Sequence, residues 1–485
     1  MTSTTQASGA RAAVDRFFKI SERGSSIPQE LRGGLVTFFA MAYIIVLNPL
    51  IIGGFSADQA AVDVEGGWLP NAQVAAVTAL VGGVMTLAMG LIANVPFGLA
   101  AGLGINSFLA FGLVGELTWP EAMGLVVLNG IIIVVLGLTG LRRMIFDAVP
   151  APLKAAITVG IGLFIAFIGF VDSGFVRSTG AASPPVQLGE GGSITSLPTL
   201  VFLIGLALMG ILLARRVQGA LLIGIVATTV IAIVLEAIFR VGPSLGQDPN
   251  AWNLNPPALP TSLFALPDLS LLGQVSLTGS FERIGVLATT MFVFTLVFMN
   301  FFDAIGSMTG LARQAGLANA DGQFPGLKRA LVVEGVGAVA GGGASASSNT
   351  VFIDSAAGIG DGARTGLASV VTGALFLAAM FLTPLTSVVP LEVAAATLVV
   401  VGALMMGQIT EIDFTDLRVA LPAFLTIVVM PLTYNIANGI GVGFIAWVVV
   451  NSVSGRAKQI SPLLWIVAAL FVLFFARGPI EAMLG

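Results

Sequence analysis

The stretch GGGASASSNTVFIDSAAGIG, residues Gly341 to Gly360, decides how this chain is built. It lies between long apolar runs but cannot itself hold an apolar span. Small residues open it, a short helical stretch at about 353–361 closes it, and Asp354 stands where that helix begins. PFGLAAGLGINSFLAF, Pro96 to Phe111, has the same construction, with Asn106 as its polar residue. Irregular backbone at membrane depth is tolerated only where protein buries it or where it lines a cavity. Paired interruptions in two halves of a transporter point to a binding site at the midplane. Two re-entrant loops or Gly-rich packing motifs are the blander alternative.

The rest of the chain reads as membrane. Of its 485 residues, 56% are hydrophobic and 9% charged, and mean hydropathy is +1.00. Soluble domains carry about 25% charged residues. Runs long enough to cross a bilayer as helices fall at about 33–53, 72–94, 119–140, 151–171, 197–214, 219–239, 284–311, 328–344, 365–385, 390–407, 416–432, 436–452 and 461–476. Counting the two short segments as crossings gives a 14-span core plus the last run, which either spans or lies in the interface. The first residues are polar and show no signal-peptide pattern. Arg11, Arg16, Lys19, Arg23, Arg32, Arg142, Arg143, Arg215, Arg216, Arg313, Lys328, Arg329, Arg456 and Lys458 then all fall on one side. By the positive-inside rule that side, with the N-terminus, is cytoplasmic. VPAPLKAAIT from Val149 and VPLEVAAAT from Val389 both open spans and suggest a doubled chain. Seven spans per half is an odd number, so the halves run oppositely.

Several chemistries are excluded. With no Cys and no His, disulfides, Cys/His metal sites, histidine bases and cysteine nucleophiles are absent. No nucleophile–base pair marks an enzyme, and no GxxxxGK[ST] phosphate loop marks an ATP motor. No cofactor is expected beyond a coupling proton. A net charge of −4 gives no basic surface for nucleic acid.

Asp303 is the clearest candidate site residue. It follows some 18 nearly all-apolar positions in VLATTMFVFTLVFMNFFDAIGSMTGLA. An aspartate at a helix centre costs about 2.5–3.5 kcal/mol on insertion scales, so an intramembrane carboxylate is a functional candidate by default. Ser307 lies one turn on. Asp354 would meet the positive end of a helix dipole, or act as a plain N-cap. Asn106 offers a donor and an acceptor. Asn349 and Thr350 read more readily as backbone caps, though Asn349 stays a candidate ligand. Phe352 or Phe302 could stack on a ring. The acidic run EIDFTD (411–416) reads as a solvated loop, and Arg364 as a face residue beside a helix start. A carboxylate in a dry site favours its protonated form, so proton coupling by Asp303 or Asp354 is expected.

These residues resemble a known family. RGGLVTFFAMAYIIVLNPLII, GLGINSFLAF, FFDAIGSMTGLARQAGL, SSNTVFIDSAAGIGDGARTGL and PLTYNIANGIGVGFI resemble the nucleobase–cation symporters, and among them the AzgA-like permeases for adenine, guanine and hypoxanthine. The resemblance runs from about Phe17 to Phe475. It implies an all-α, 7+7 inverted-repeat transporter whose spans 3 and 10 each begin with a short strand. It implies a core domain (33–145 and 284–386) and a gate domain (146–240 and 387–485), joined by an extracytoplasmic loop (241–283) and preceded by a cytoplasmic segment (1–32). It also implies elevator-type movement in the plasma membrane, a homodimer, and a purine held by Asp303, Asp354 and Asn106. Uracil-permease relatives carry a His four residues after the span-8 carboxylate, where this chain has Ser307. AzgA-like relatives usually read ESAAG where this chain reads DSAAG. The shorter Asp354 draws its carboxylate back by roughly 1.5 Å, one carbon–carbon bond, and leaves the preferred purine open. An anion exchanger on the same fold, or a channel, is the rival reading; the exchanger requires a basic residue where the half-helices meet.

Overall fold

The computed structural model describes residues 9–56, 60–139, 149–244, 248–253, 255–260, 262–319 and 324–484, with backbone alone at 10, 302, 305 and 477–484. Arg142 and Arg143, one of the basic clusters that orient the chain, lie outside the described residues, as does the side chain of Phe302.

Ten described helices are long and apolar enough to cross a membrane. In chain order they are span 1 (Ile27–Ile52), span 2 (Asn71–Ala93), span 4 (Trp119–Thr139), span 5 (Ala151–Asp172), span 6 (Leu197–Ala214), span 7 (Ala220–Phe239), span 8 (Gly285–Gln314), span 11 (Gly366–Val388), span 12 (Leu391–Glu411) and span 14 (Ile436–Gln459). Spans 9 (Leu327–Gly343) and 13 (Leu417–Leu432) are shorter full helices. Spans 3 and 10 are broken. Span 3 is strand β1 (Leu99–Ala101) followed by helix Leu103–Leu113, and span 10 is a strand (Asn349–Val351) followed by helix Ala356–Gly360. The chain is thus a polytopic α-helical membrane protein of seven plus seven inverted spans, with spans 3 and 10 broken alike. Between spans 5 and 6 lies a hairpin, β2 (Val176–Ser178) and β3 (Val186–Leu188). The span-10 strand is β4.

Packing sorts the spans into two groups. Span 9 lies along span 4, and span 11 along spans 1 and 2. Span 12 packs on spans 5 and 6, and span 13 on spans 5 and 14. Glycine makes the closest crossing possible. A Cβ on Gly130 of span 4 would lie 2.5 Å from the Val339 nitrogen, and one on Gly335 of span 9 would lie 2.7 Å from the Val134 nitrogen. Lipid offers no hydrophobic drive between helices, so close backbone packing at small residues takes its place.

The last apolar run forms helix Pro462–Leu484. It folds back antiparallel to span 14, with Phe471 at 6.3 Å from Phe444, and reaches span 8 through Phe474 and Phe292 at 5.9 Å. Its aromatic face thus finds partners on two spans. The EIDFTD run is mixed rather than wholly solvated: Ile412 is buried, and Asp416 caps span 13 by accepting the Arg418 N–H at 3.0 Å.

Candidate functional site

The two strands meet at the centre of the first group. β1 and β4 pair antiparallel, Leu99 with Val351, Ala100 with Thr350 and Ala101 with Asn349. Pro96 cannot donate to a helix ladder, and Gly98 and Gly102 flank the strand, so the chain extends here. The extended backbone is satisfied from every side, as hydrocarbon depth demands. Phe352 N–H donates to the Gly98 carbonyl at 2.9 Å, and Gly102 N–H to that of Ser348 at 3.0 Å. The hydroxyl of Thr86, on span 2, accepts from Leu99 N–H at 2.8 Å and covers the outer edge of β1. Glu334 of span 9 lies beside β4, its Oε1 accepting from the Thr350 hydroxyl at 3.0 Å while its Oε2 has no protein partner. Asn349 and Thr350 are therefore strand residues and not caps. The turn into β4 runs through Ser345 (φ 54°) and Ser347 (φ 68°). Left-handed backbone costs a non-glycine residue about 1–3 kcal/mol, and buried packing holds both here.

Each strand leads into a half-helix, so two helix N-termini face each other across the pair. Around them the structure collects most of the residues singled out above. Thr350 Oγ1 lies 3.4 Å from Oδ2 of Asp303 and 3.0 Å from Oε1 of Glu334. Asp303 is exposed, and so are Gly306, Gly310 and Arg313 at helical spacing along span 8. An aspartate open to lipid at that depth would be costly. Asp354 is half-buried and accepts from the Tyr43 hydroxyl at 3.4 Å. It makes no capping bond to its half-helix, so the plain-cap reading of Asp354 does not hold. Phe352 is buried, its ring tilted 48° against Tyr43 at 6.4 Å.

The amides are informative. Asn106 and Asn349 are wholly buried, and neither the oxygen nor the nitrogen of either side chain has a protein partner. A buried amide left unpaired costs about 1–3 kcal/mol per group. By contrast Asn300 and Asn129 both donate to the Ser348 hydroxyl, at 3.0 and 3.5 Å, and fix the turn before β4. Carboxylates of span 8 and of the span-10 half-helix, and an unpaired amide on the span-3 half-helix, offer the acceptors and donors that a flat ligand with both kinds of group on its edges requires. Arg364 lies at the wrong end for an anion site. Its side chain donates to the carbonyls of Ile359 and Ala363, beyond the C-terminal end of the half-helix from Asp354.

Glu334 and Tyr43 are the residues that sequence reasoning missed. Glu334 carried the same signal as Asp303, a charge inside an apolar run, but Lys328 and Arg329 nearby make that stretch look like a membrane face.

Comparison with known proteins agrees with this architecture. A sequence model described as a permease family matches residues 28–442. An adenine permease of Escherichia coli is 34% identical over 97% of this chain and 97% of its own length. A guanine/hypoxanthine permease of Bacillus subtilis is 35% identical over 95% of this chain and 98% of its own. Among solved structures, the transmembrane domain of a cyanobacterial bicarbonate transporter superposes with a TM-score of 0.57, covering 84% of this chain and 97% of that one at 16% identity. A likeness at that identity speaks for the fold alone.

Proposed function

The chain belongs to this permease family of membrane transporters, and from that premise we propose that it takes up purine nucleobases with protons. The named substrates of its relatives are adenine, guanine and hypoxanthine. The observation that carries the reading is the pair of facing half-helices, with the exposed carboxylate of Asp303 joined to β4 through Thr350, the half-buried Asp354 at the start of the span-10 half-helix, and the wholly buried amides of Asn106 and Asn349 left without protein partners. Purines present N–H donors and ring-nitrogen acceptors around a planar edge. Carboxylates take the N–H groups, and amides take either kind.

The shared hydroxyl gives the proton a route. Thr350 has one proton and two carboxylate neighbours, so it can donate to only one of them at a time. When Glu334 is protonated, Thr350 accepts from it and donates to Asp303. When Asp303 takes up the proton, the arrangement reverses. The exposed strip of span 8 runs from Asp303 to the basic end of the helix at Arg313, which the positive-inside rule assigns to the cytoplasm; on this reading the base is released along it in an elevator cycle. Spans 1–4 and 8–11 would carry the base past spans 5–7 and 12–14, in a plasma-membrane dimer.

Uptake of labelled adenine, guanine and hypoxanthine into cells without their own purine permeases tests the reading. We expect saturable uptake of at least one purine that collapses with a protonophore. Asp303→Asn should lower it tenfold or more, since a charged hydrogen bond is worth about 1.5–3 kcal/mol. Undiminished uptake in that variant, with its pH dependence intact, would remove Asp303 from the mechanism.

A further inference from the structure

Away from the purine site, the outer ends of spans 5 and 12 enclose an acidic cavity that transport does not use. Its volume is about 50 Å³, room for one small ion or a water or two. It is lined by Asp172 and Ser173 at the end of span 5, Thr199 at the start of span 6, Asn253 of the loop after span 7, and Glu392 in the first turn of span 12.

Glu392 is 2% exposed. Its Oε1 accepts the Asn253 N–H at 2.8 Å, while Oε2 is equally buried and has no partner. Protonation does not cure this, because it turns an unpaired acceptor into an unpaired donor. Asp172 lines the same cavity, and the charges of the two carboxylates act on each other. Arg177 is close, but its Nε and Nη2 donate to the backbone carbonyls of Gly174 (3.2 Å) and Pro249 (2.6 Å). Asp248 at the rim is exposed, so solvent screens it. The buried Glu392 and half-buried Asp172 against one guanidinium leave one negative charge, which a monovalent cation balances. Arg177 lines one side; the rest of the polar lining is carboxylate, hydroxyl and amide oxygen, the donor set of hard cations.

We propose that this cavity is a sodium site, with Glu392 Oε2 and Asp172 as its charged ligands. The ion joins span 5, span 12 and the loop at Asn253, and so holds the outer end of the second helix group as one unit. The lining includes neither Asp303 nor Asp354 nor the residues that bond them, so the purine reading and this one stand or fall separately.

The test uses the purified full-length protein, with thermal unfolding followed in sodium chloride and in choline chloride at equal ionic strength. A ligand that binds only the folded state raises Tm with the logarithm of its concentration above Kd. We expect that rise in the wild type and in Asp248→Asn, and its loss in Glu392→Gln and Asp172→Asn. Binding of radioactive sodium to the wild type gives a readout that does not depend on any variant folding. Equal Tm in the two salts with no sodium bound overturns the proposal, and so does a full sodium response in Glu392→Gln.

Discussion

Thr350 and Glu334 set the terms at the scale of single residues. Glu334 is wholly buried, and its Oε1 accepts from the Thr350 hydroxyl at 3.0 Å while Oε2 has no protein partner. Without it Thr350 keeps only the longer 3.4 Å contact to Asp303. Glu334→Ala is expected to destabilise the protein by about 1–3 kcal/mol, the cost of one buried hydrogen bond lost. Glu334→Gln keeps an acceptor oxygen and should cost much less. Thermal melts of the two variants separate them, and equal melting would dissociate Glu334 from the strand. The sequence singles out Asp303, Asp354 and Asn106 as candidates because a polar group inside an apolar run is visible without any structure. It does not single out Tyr43, since a tyrosine in an apolar run carries no such contrast; only the fold brings its hydroxyl to Asp354.

Elements add constraints that single residues do not show. The interruptions at spans 3 and 10 could be read from Gly, Ser and Pro, but the β1–β4 pairing could not. It joins segments some 250 positions apart, and three-residue strands leave no alternation to detect. The crossing of spans 4 and 9 was equally silent, because glycine in a membrane helix marks many things. Its close approach makes a sharp expectation. Gly335→Val should cost about 1–3 kcal/mol through forced separation, whereas Gly343→Ala, with nothing within 4 Å of the new carbon, should be near neutral; expression level and Tm report both. At the start of span 13, hydrogen bonds from Arg418 hold the Asp416 carboxyl down at about 2, below its ordinary 3.8. A lowered folded value means that the contribution is complete above about pH 4 and fades as pH falls toward 2. The Tm gap between wild type and Asp416→Asn should therefore be flat from pH 5 to 8 and narrow only in stronger acid.

Across the whole molecule the question is whether one helix group moves against the other. The seam is aromatic: Tyr434, just before span 14, meets Phe111 of span 3 at 5.4 Å, and Phe444 of span 14 meets Phe298 of span 8 at 5.1 Å, edge to face in both cases. Such contacts hold a resting position without hydrogen bonds to break, which suits a surface that slides. The doubling of the chain and its span count followed from hydropathy, but the seam did not, because nothing in a helix's own pattern says which neighbour it meets. Cysteine chemistry can interrogate the seam without background, since the chain has no Cys of its own. A Cβ at Gly104 on span 3 would lie 2.8 Å from Cγ2 of Ile161 on span 5, so paired cysteines there can form a disulfide. A Cβ at Gly137 on span 4 would lie 3.5 Å from that of Leu331 on span 9, giving a second pair inside one group. If spans 1–4 and 8–11 travel as a body, oxidising Gly104→Cys/Ile161→Cys should arrest purine uptake and reduction should restore it. Oxidising Gly137→Cys/Leu331→Cys should leave uptake largely intact. Full uptake in the first pair with its disulfide formed, checked by mass spectrometry, would rule out movement along this seam.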